Sequence, residues 1–162
     1  MKQRIYIDTS VFGGYFDTEF EKETKPFFNY IVQNKITILI SDLLELEIYR
    51  GPQYLQDFFE SLPVELFSKV EMTEEVKLLA EMYINEKVVG KTSRADCQHI
   101  ALATVYKASV LASWNFKHIV NLERIRGYNS INFREGYQMT EIRTPKEIFN
   151  YERETENENN QK

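Results

Sequence analysis

The chain has 162 residues, a formal net charge of −5 and 43% hydrophobic residues. This composition excludes an intrinsically disordered chain and favours one globular domain with a sizeable core. The acidic balance counts against a broad electrostatic nucleic-acid binder, which would normally be basic. A single cysteine, Cys97, excludes an internal disulfide framework and suits a reducing cytosol. No apolar run approaches the roughly 20 residues that span a membrane, and no secretory pattern opens the sequence, so we expect a cytoplasmic protein.

Three elements are predicted in the first quarter of the chain. Residues 4–7 are β-branched and aromatic, which indicates a strand buried on both faces. Apolar residues at near-helical spacing predict a helix within residues 18–35, with Pro26 well placed as its first helical residue. Residues 36–40 predict a second strand, and their lack of polar alternation is typical of a central, parallel strand.

The next stretch is predicted to be mainly helical. A helix over residues 43–49 has Ser41 or Asp42 as its cap. Two further segments show the spacing of amphipathic helices: residues 54–62 and 73–86. Between them, residues 64–72 alternate like a strand, but they are also compatible with a simple connection.

The second half of the chain keeps alternating between helices and strands. The pattern predicts, in order, a helix over 92–107, a strand over 109–114, a helix over 116–126, strands over 130–133 and 138–143, and a short last helix ending at 151. Polar residues 152–162 predict a disordered tail, which leaves one domain over residues 1–151. This alternation predicts the α/β class, with about five parallel strands, helices on both faces and the strand C-terminal ends at one rim.

Four oxygen-bearing side chains are predicted at that rim. Asp8 directly follows the first strand, and Asn115 directly follows the third. Asp96 lies in the first turn of its helix, and Glu47 lies on the apolar, inward face of the helix after the second strand. Glu45 is the competing acid on that helix, but ideal geometry points it about 160° away from Glu47.

Each of these residues has an ordinary alternative when it is taken alone. Asp8 could cap a helix, and Asp96 could be a first-turn acid favoured by the helix dipole. Glu47 could lie on a solvated face, and Asn115 could be a turn residue. Together on one rim, they favour a divalent-cation site. Carboxylates without cysteine or a histidine pair suit Mg²⁺ or Mn²⁺, whose natural substrate would be a phosphodiester or phosphoryl group.

Four segments carry a resemblance to a known family: IYIDTSVF near the start, SDLLELEI with Glu47, ADCQHIALA with Asp96, and VLASWNFKHI with Asn115. Together they resemble PIN-domain ribonucleases, and most specifically the VapC-like toxins of bacterial and archaeal toxin–antitoxin pairs. The resemblance covers about residues 4–119 and continues more loosely to Pro145. It implies a three-layer α/β/α sandwich and Mg²⁺- or Mn²⁺-dependent endonucleolytic cleavage of single-stranded or structured RNA.

The resemblance also implies roles for the four rim residues. The family's acids correspond to Asp8, Glu47 and Asp96, which are implied to be metal ligands and, with Asn115, catalytic. The fourth family position is commonly Asp. The asparagine here favours a single-metal site over a fully charged two-metal site.

Supporting hydroxyls and partners follow from the same resemblance. Ser10 and Ser113 fill hydroxyl positions of the family's motifs, where they would orient the carboxylates. The implied partners are an RNA substrate, an antitoxin protein and a second copy of the chain in a homodimer.

Two histidines and the single tryptophan lie close to these motifs. His99 could line the site, and His118 could face phosphate, but local satisfaction or exposure is the simpler expectation for both. The aromatic residues fall mostly on helical stripes, so Trp114 is expected to pack in the core. No RNP-like platform for stacked bases is recognised.

Three cations are candidates for the RNA backbone. Lys91 and Arg94 lie near Asp96 in sequence, and Lys117 follows Asn115 closely. A solvated loop explains Lys91 and Arg94 equally well.

Two other functions compete with the ribonuclease. A phosphatase could use Asp8 as its nucleophile, but the haloacid-dehalogenase pattern needs a second Asp two residues on, where this chain has Ser10. A catalytically impaired PIN-like domain could instead serve as a protein or RNA binding module. Asn115 and the acidic surface favour that alternative.

Overall fold

The structure, a computed structural model, describes residues 3–90 and 93–162. The strands are β1 (Arg4–Ile7), β2 (Thr37–Ser41), β3 (Phe67–Val70), β4 (Val110–Ala112) and β5 (Ile142–Arg143). The helices are α1 (Thr9–Gly14), α2 (Glu21–Gln33), α3 (Asp42–Arg50), α4 (Gln53–Ser61), α5 (Glu74–Asn85), α6 (Arg94–Val105), α7 (Leu122–Arg134) and α8 (Pro145–Asn160). Within the described ranges, no helix is both long and apolar enough to span a membrane.

All five strands form one parallel sheet in the order β3-β2-β1-β4-β5. β1 is central, and its Tyr6 lies in register with Leu39 of β2 and Leu111 of β4. Because side chains alternate along a strand, Ile5 and Ile7 enter one core while Tyr6 enters the other. Both faces of β1 are therefore buried, which explains why its sequence shows no polar alternation.

Helices cover both faces of the sheet, and the predicted three-layer α/β/α sandwich is confirmed. Helices α1, α2, α3, α4 and α8 contribute to the core that contains Ile5 and Ile7. Helices α5, α6 and α7 contribute to the core that contains Tyr6. Parallel strands bring their C-terminal ends to one rim, where Asp8 follows β1 and Ser113 follows β4. This rim carries the candidate site.

Two segments acquire sharper boundaries in the structure. The segment over 64–72 contains a 3₁₀ turn followed by β3, which pairs with β2 and forms one edge of the sheet. The helix predicted over 116–126 begins later, because the Asn121 side chain caps α7 by accepting a hydrogen bond from the backbone N–H of Arg124.

The strand predicted over 130–133 is wrong, because these residues lie inside α7. Tyr128, Ile131 and Asn132 are buried at helical spacing, and α7 packs against α5 through this face. Burial of this helical face, which includes Tyr128, outweighs the local β-like pattern of residues 130–133.

Pro26 is the second correction to the sequence prediction. It lies inside α2, which begins five residues earlier at Glu21, and not at its first position. The residues before it form a complete turn in which the backbone N–H of Glu21 donates to the carbonyl of Asp17 at 2.8 Å. Proline lacks an N–H, so it leaves the carbonyl of Lys22 without its helical partner. Lys22 is exposed, so water can serve that carbonyl.

The polar end of the chain also differs from its prediction. Residues 152–162 were expected to form a disordered tail, but α8 continues through them as far as Asn160. A capping box between Thr144 and Glu147 starts the helix. Along it, Glu152 accepts a hydrogen bond from the Tyr30 hydroxyl at 3.3 Å. Contacts with α2 thus extend past the end of the expected domain.

Candidate active site

Asp8 is the buried acid of the rim, and its side chain is only 5% exposed. It occupies the position before the first turn of α1, but its side chain makes no capping hydrogen bond. Instead, its Oδ2 atom accepts hydrogen bonds from the hydroxyls of Ser10 at 2.7 Å and Ser113 at 2.9 Å. The helix-cap alternative is therefore not what holds this carboxylate.

Both serines are themselves fixed by the backbone that follows β4. The N–H of Trp114 donates to Ser10 Oγ at 3.0 Å, and the N–H of Asn115 donates to Ser113 Oγ at 3.0 Å. Each hydroxyl accepts from an amide and donates to Asp8, so the direction of every bond is defined. This network presents Asp8 in one orientation and leaves its Oδ1 atom outside the hydroxyl pair.

Glu47 lies on α3 at the same rim, with 34% of its side chain exposed. Its Oε1 atom is hydrogen-bonded to Nε2 of the buried His99, a residue of α6. Because a carboxylate only accepts, Nε2 of His99 is the donor. The same Nε2 lies 3.8 Å from Oδ1 of Asp8, so His99 stands between two acids of the rim. The competing acid, Glu45, pairs instead with Lys69 of β3 at 3.3 Å.

The other nitrogen of His99 is held by a buried hydroxyl pair. Nδ1 of His99 shares a hydrogen bond of 2.6 Å with the Tyr6 hydroxyl, which lies 2.8 Å from Ser41 Oγ. Ser41 also caps α3 by accepting from the N–H of Leu44. A continuous chain of contacts thus joins the central strand and the start of α3 to the carboxylate of Glu47.

The pKa of His99 is raised above its ordinary value. Burial alone would lower that pKa, but the hydrogen bond to Glu47 and the charges of Asp8, Glu47 and Asp96 outweigh it. The acids of the rim therefore favour the imidazolium form of His99.

Asp96 lies in the first turn of α6 and is half-buried. Burial raises the pKa of its carboxyl, and the negative charge of Asp8 raises it further. His99, His118 and the Asn115 side chain act in the opposite direction and lower that pKa in part. The negative charge of Asp8 therefore makes ionisation of the Asp96 carboxyl less favourable.

Asn115 is placed at this rim, where its side chain also shapes the turn that follows. Its Oδ1 atom accepts a hydrogen bond from the N–H of His118 at 3.0 Å, which is the contact of a turn residue. Nδ1 of His118 is buried and has no hydrogen-bond partner among the described residues. The oxygen of Asn115 is thus already used by the protein, while a polar atom of His118 remains unsatisfied.

The fit to a metal ion is partial. Over residues 3–90 and 93–162, no three His, Cys, Asp or Glu side chains are grouped so as to hold a metal ion. A hard cation such as Mg²⁺ needs less, because it keeps several waters and binds through one or two carboxylates plus a phosphate. Asp8 Oδ1 and Asp96 suit that mode, whereas Glu47 is paired with His99.

The three candidate cations differ in what the structure says of them. Lys91 lies outside the described residues. Arg94 forms an ion pair with Glu81 of α5, so its guanidinium is already occupied. Lys117 is exposed in the turn after Asn115.

The contact of His99 with Glu47 is the part of the site that sequence reasoning missed. One signal was present. Tyr6 lies in a strand predicted to be buried on both faces, and a buried tyrosine hydroxyl needs a hydrogen-bond partner. His99, three residues after Asp96 on the same helix, was an available partner at that end of the sheet.

Comparisons with known proteins bear on the fold. No protein-family model matches the chain, and no curated protein is significantly similar to it. Among solved structures, the chain is similar to one chain of VapBC2 from Rickettsia felis, crystallised with a DNA fragment from their promoter. The TM-score is 0.53 with 13% identity, over 88% of this chain and 98% of the other. Such a likeness shows the fold alone, and it confirms the PIN-like α/β fold predicted from the sequence.

Proposed function

We propose that this chain is a divalent-metal-dependent endoribonuclease that hydrolyses RNA phosphodiester bonds with Mg²⁺ or Mn²⁺. The observation that carries the proposal is the state of Asp8. It is a buried carboxylate at the tip of the central strand, oriented by two hydroxyls through one oxygen while the other faces His99. A carboxylate held in this way, close to a second acid, suits a hydrated hard cation.

In this proposal, Asp8 and Asp96 would hold the ion, and Glu47 would complete its surroundings. The chemistry that Mg²⁺ or Mn²⁺ supplies at such a site is activation of a water nucleophile and neutralisation of charge on the leaving oxygen. Ser10 and Ser113 keep the carboxylate of Asp8 from rotating. His99 orients Glu47 towards the rim. The exposed Lys117 would contact the RNA backbone.

The test is cleavage of RNA by purified protein with Mg²⁺ or Mn²⁺. Asp8→Asn keeps the size of the side chain and removes its charge, so we expect at least a roughly hundredfold loss of cleavage with an intact fold. Asp57→Asn is the matched control, since Asp57 is exposed on α4 and, among the described residues, accepts a hydrogen bond only from Gln53. Equal cleavage by wild type and Asp8→Asn would rule out the proposed site.

We also propose that the chain is the toxin of a toxin–antitoxin pair in the cytoplasm, acts as a homodimer and is neutralised by an antitoxin. The similar chain of known structure comes from a VapBC2 complex bound to promoter DNA. In this chain, the rings of Phe16 and Tyr54 are exposed, with centroids 4.8 Å apart, and they offer apolar surface to an antitoxin or a second copy. Light scattering of the chain, alone and co-expressed with a small neighbouring reading frame, would measure both assemblies.

A second candidate function is a PIN-like binding module without catalysis. It is favoured by the use of Asn115 Oδ1 in a turn, together with the lack of a three-ligand group among the described residues. Calorimetry with Mn²⁺ separates the two functions. Heat of binding that is lost in Asp8→Asn supports the nuclease, and no binding at millimolar Mn²⁺ supports the module.

A further inference from the structure

Three aromatic rings lie together beside the acidic rim, and we call them the aromatic shelf: Phe20, Trp114 and Phe116. The rings of Phe20 and Trp114 are stacked, with centroids 4.6 Å apart and planes at 21°. Phe116 is tilted against both, at 6.2 Å from Phe20 and 6.1 Å from Trp114. Separate elements thus converge, with Phe20 before α2 and the other two after β4.

The shelf has a buried base and an open side. Trp114 is 8% exposed, Phe20 is half-buried, and Phe116 is 50% exposed. Thr24, which is fully buried, accepts a hydrogen bond from Nε1 of Trp114 at 2.9 Å and donates to the carbonyl of Phe20 at 2.7 Å. These two bonds hold the lower rings in place, so the exposed ring of Phe116 rests on a rigid support.

The shelf is joined directly to the candidate active site. The backbone N–H of Trp114 donates to Ser10 Oγ, and the Ser10 hydroxyl donates to Asp8. Asn115 separates the two shelf residues of this segment, and the exposed Lys117 follows Phe116. A group resting on Phe116 would therefore lie next to a phosphate placed at the acidic rim, with a cation beside it.

We propose that the aromatic shelf is a stacking subsite for one unpaired nucleobase of the RNA, adjacent to the cleaved phosphodiester. This inference rests on the proposed function and adds a contact that confers a preference for single-stranded substrate. An acidic chain of formal charge −5 draws little affinity from general electrostatics, so stacking must contribute more. A base inside a duplex is already stacked on both faces and cannot use Phe116 without being extruded.

Trp114 is the only tryptophan of the chain, so its fluorescence reports on the shelf. The experiment titrates the full chain, in EDTA to prevent cleavage, with a short single-stranded RNA and separately with the same sequence as a duplex. We expect the single strand to quench Trp114 emission and the duplex to leave it nearly unchanged. Phe116→Ala should weaken single-strand binding by roughly tenfold, as expected for the loss of one base–aromatic stack. Phe116→Tyr should bind like wild type, because it keeps the ring.

Phe133→Ala is the matched control, since Phe133 is 78% exposed on α7 and outside the shelf. It should bind RNA like wild type. Unchanged affinity in Phe116→Ala, or equal quenching by duplex, would overturn the subsite. Quenching by a co-purified protein partner but not by RNA would also overturn it. Quenching that needs Phe116, without any RNA cleavage, would support the shelf and refute the nuclease. Cleavage with unchanged binding in Phe116→Ala would do the reverse.

Discussion

Two acidic regions of the molecule, a cavity beside the edge strand β5 and the acidic rim, neutralise their carboxylates in different ways. The cavity, of about 540 Å³, is lined by Gln3, Ser109 and three acids, Glu141, Glu147 and Glu152. There the guanidinium of Arg143 forms ion pairs with two of them: its Nη2 atom lies 2.5 Å from Oε1 of Glu141, and its Nε atom lies 3.8 Å from Oε2 of Glu147. Glu141 and Glu147 thus have a permanent cation beside them.

At the carboxyl-terminal rim, serine hydroxyls and the imidazole of His99, rather than a guanidinium, lie beside the carboxylate of Asp8. Within the described part of the chain, neither Asp8 nor Asp96 has a Lys or Arg within ion-pair distance. Asp8 is held by serine hydroxyls, and His99 lies 3.8 Å away. Acids at the cavity thus have a permanent cation beside them, whereas Asp8 and Asp96 at the rim have none among the described residues. Negative charge without a paired Lys or Arg marks the candidate site better than cavity volume does.

Removing His99 should have the largest effect on stability. We expect His99→Ala to destabilise the fold by about 3 kcal/mol, because it empties a buried site and removes one of the two hydrogen-bond partners of the Tyr6 hydroxyl. Urea unfolding followed by circular dichroism measures the difference. Arg143→Gln is the control in the cavity beside β5 and should cost at most about 0.5 kcal/mol, because its ion pairs are exposed. Similar losses in both variants would contradict the contrast between the two regions.

Ser113→Ala should have the next largest effect. It removes one of the two hydroxyls that donate to Asp8 and also the acceptor of the Asn115 N–H. We therefore expect the free energy of unfolding to fall by about 2 kcal/mol. Ser130→Ala on the exposed side of α7 should change stability by less than about 0.5 kcal/mol. The same urea experiment tests both. A loss in Ser113→Ala no larger than in the control would mean that the hydroxyl does not hold Asp8.

Asp96→Asn should have the smallest effect, with the opposite sign. Burial and Asp8 raise the pKa of the Asp96 carboxyl, so the folded protein binds this proton more tightly than the unfolded chain. The protonated carboxyl therefore stabilises the fold at low pH. This contribution is lost as the pH rises from the pKa of Asp96 in the unfolded chain through its higher pKa in the folded protein. Without divalent metal, we expect Asp96→Asn to raise the melting temperature slightly at pH 7.

That gain should vanish at acidic pH, below the pKa of the unfolded chain, where both states of wild type carry the proton. Thermal melts of wild type and variant at several pH values in EDTA measure the difference. A gain that stays constant down to acidic pH would show that charge is not its cause.

Strand composition was sufficient to predict the central strands of the sheet and the position of Asp8. Runs such as residues 4–7 and 36–40 lack polar alternation, which only burial on both faces explains. Parallel strands place their ends together whatever the loops do, so Asp8 and Ser113 could be brought to one rim without any knowledge of packing. In the structure, Ser113 Oγ lies 2.9 Å from Oδ2 of Asp8.

The contact between Glu47 and His99 could not be predicted in the same way. It joins α3 to α6 across 52 positions of sequence, and it depends on how each helix is rotated about its axis. Local patterns were also misleading in α7, where residues 130–133 resembled a strand until the helical stripe through Tyr128 is considered. Tertiary packing decides such cases, because propensity is only a weak preference.

The central position of β1 affects the order in which the protein can assemble. Ile5 of β1 pairs with Val110 of β4, so β1 cannot complete its pairing until a segment more than a hundred residues later has been synthesised. Contacts this distant in sequence slow folding. Asp8 receives its second hydroxyl only when Ser113 arrives, and the shelf also needs Trp114 and Phe116. A nascent chain that ends before β4 would therefore lack a formed site, which delays any ribonuclease activity until most of the chain has left the ribosome.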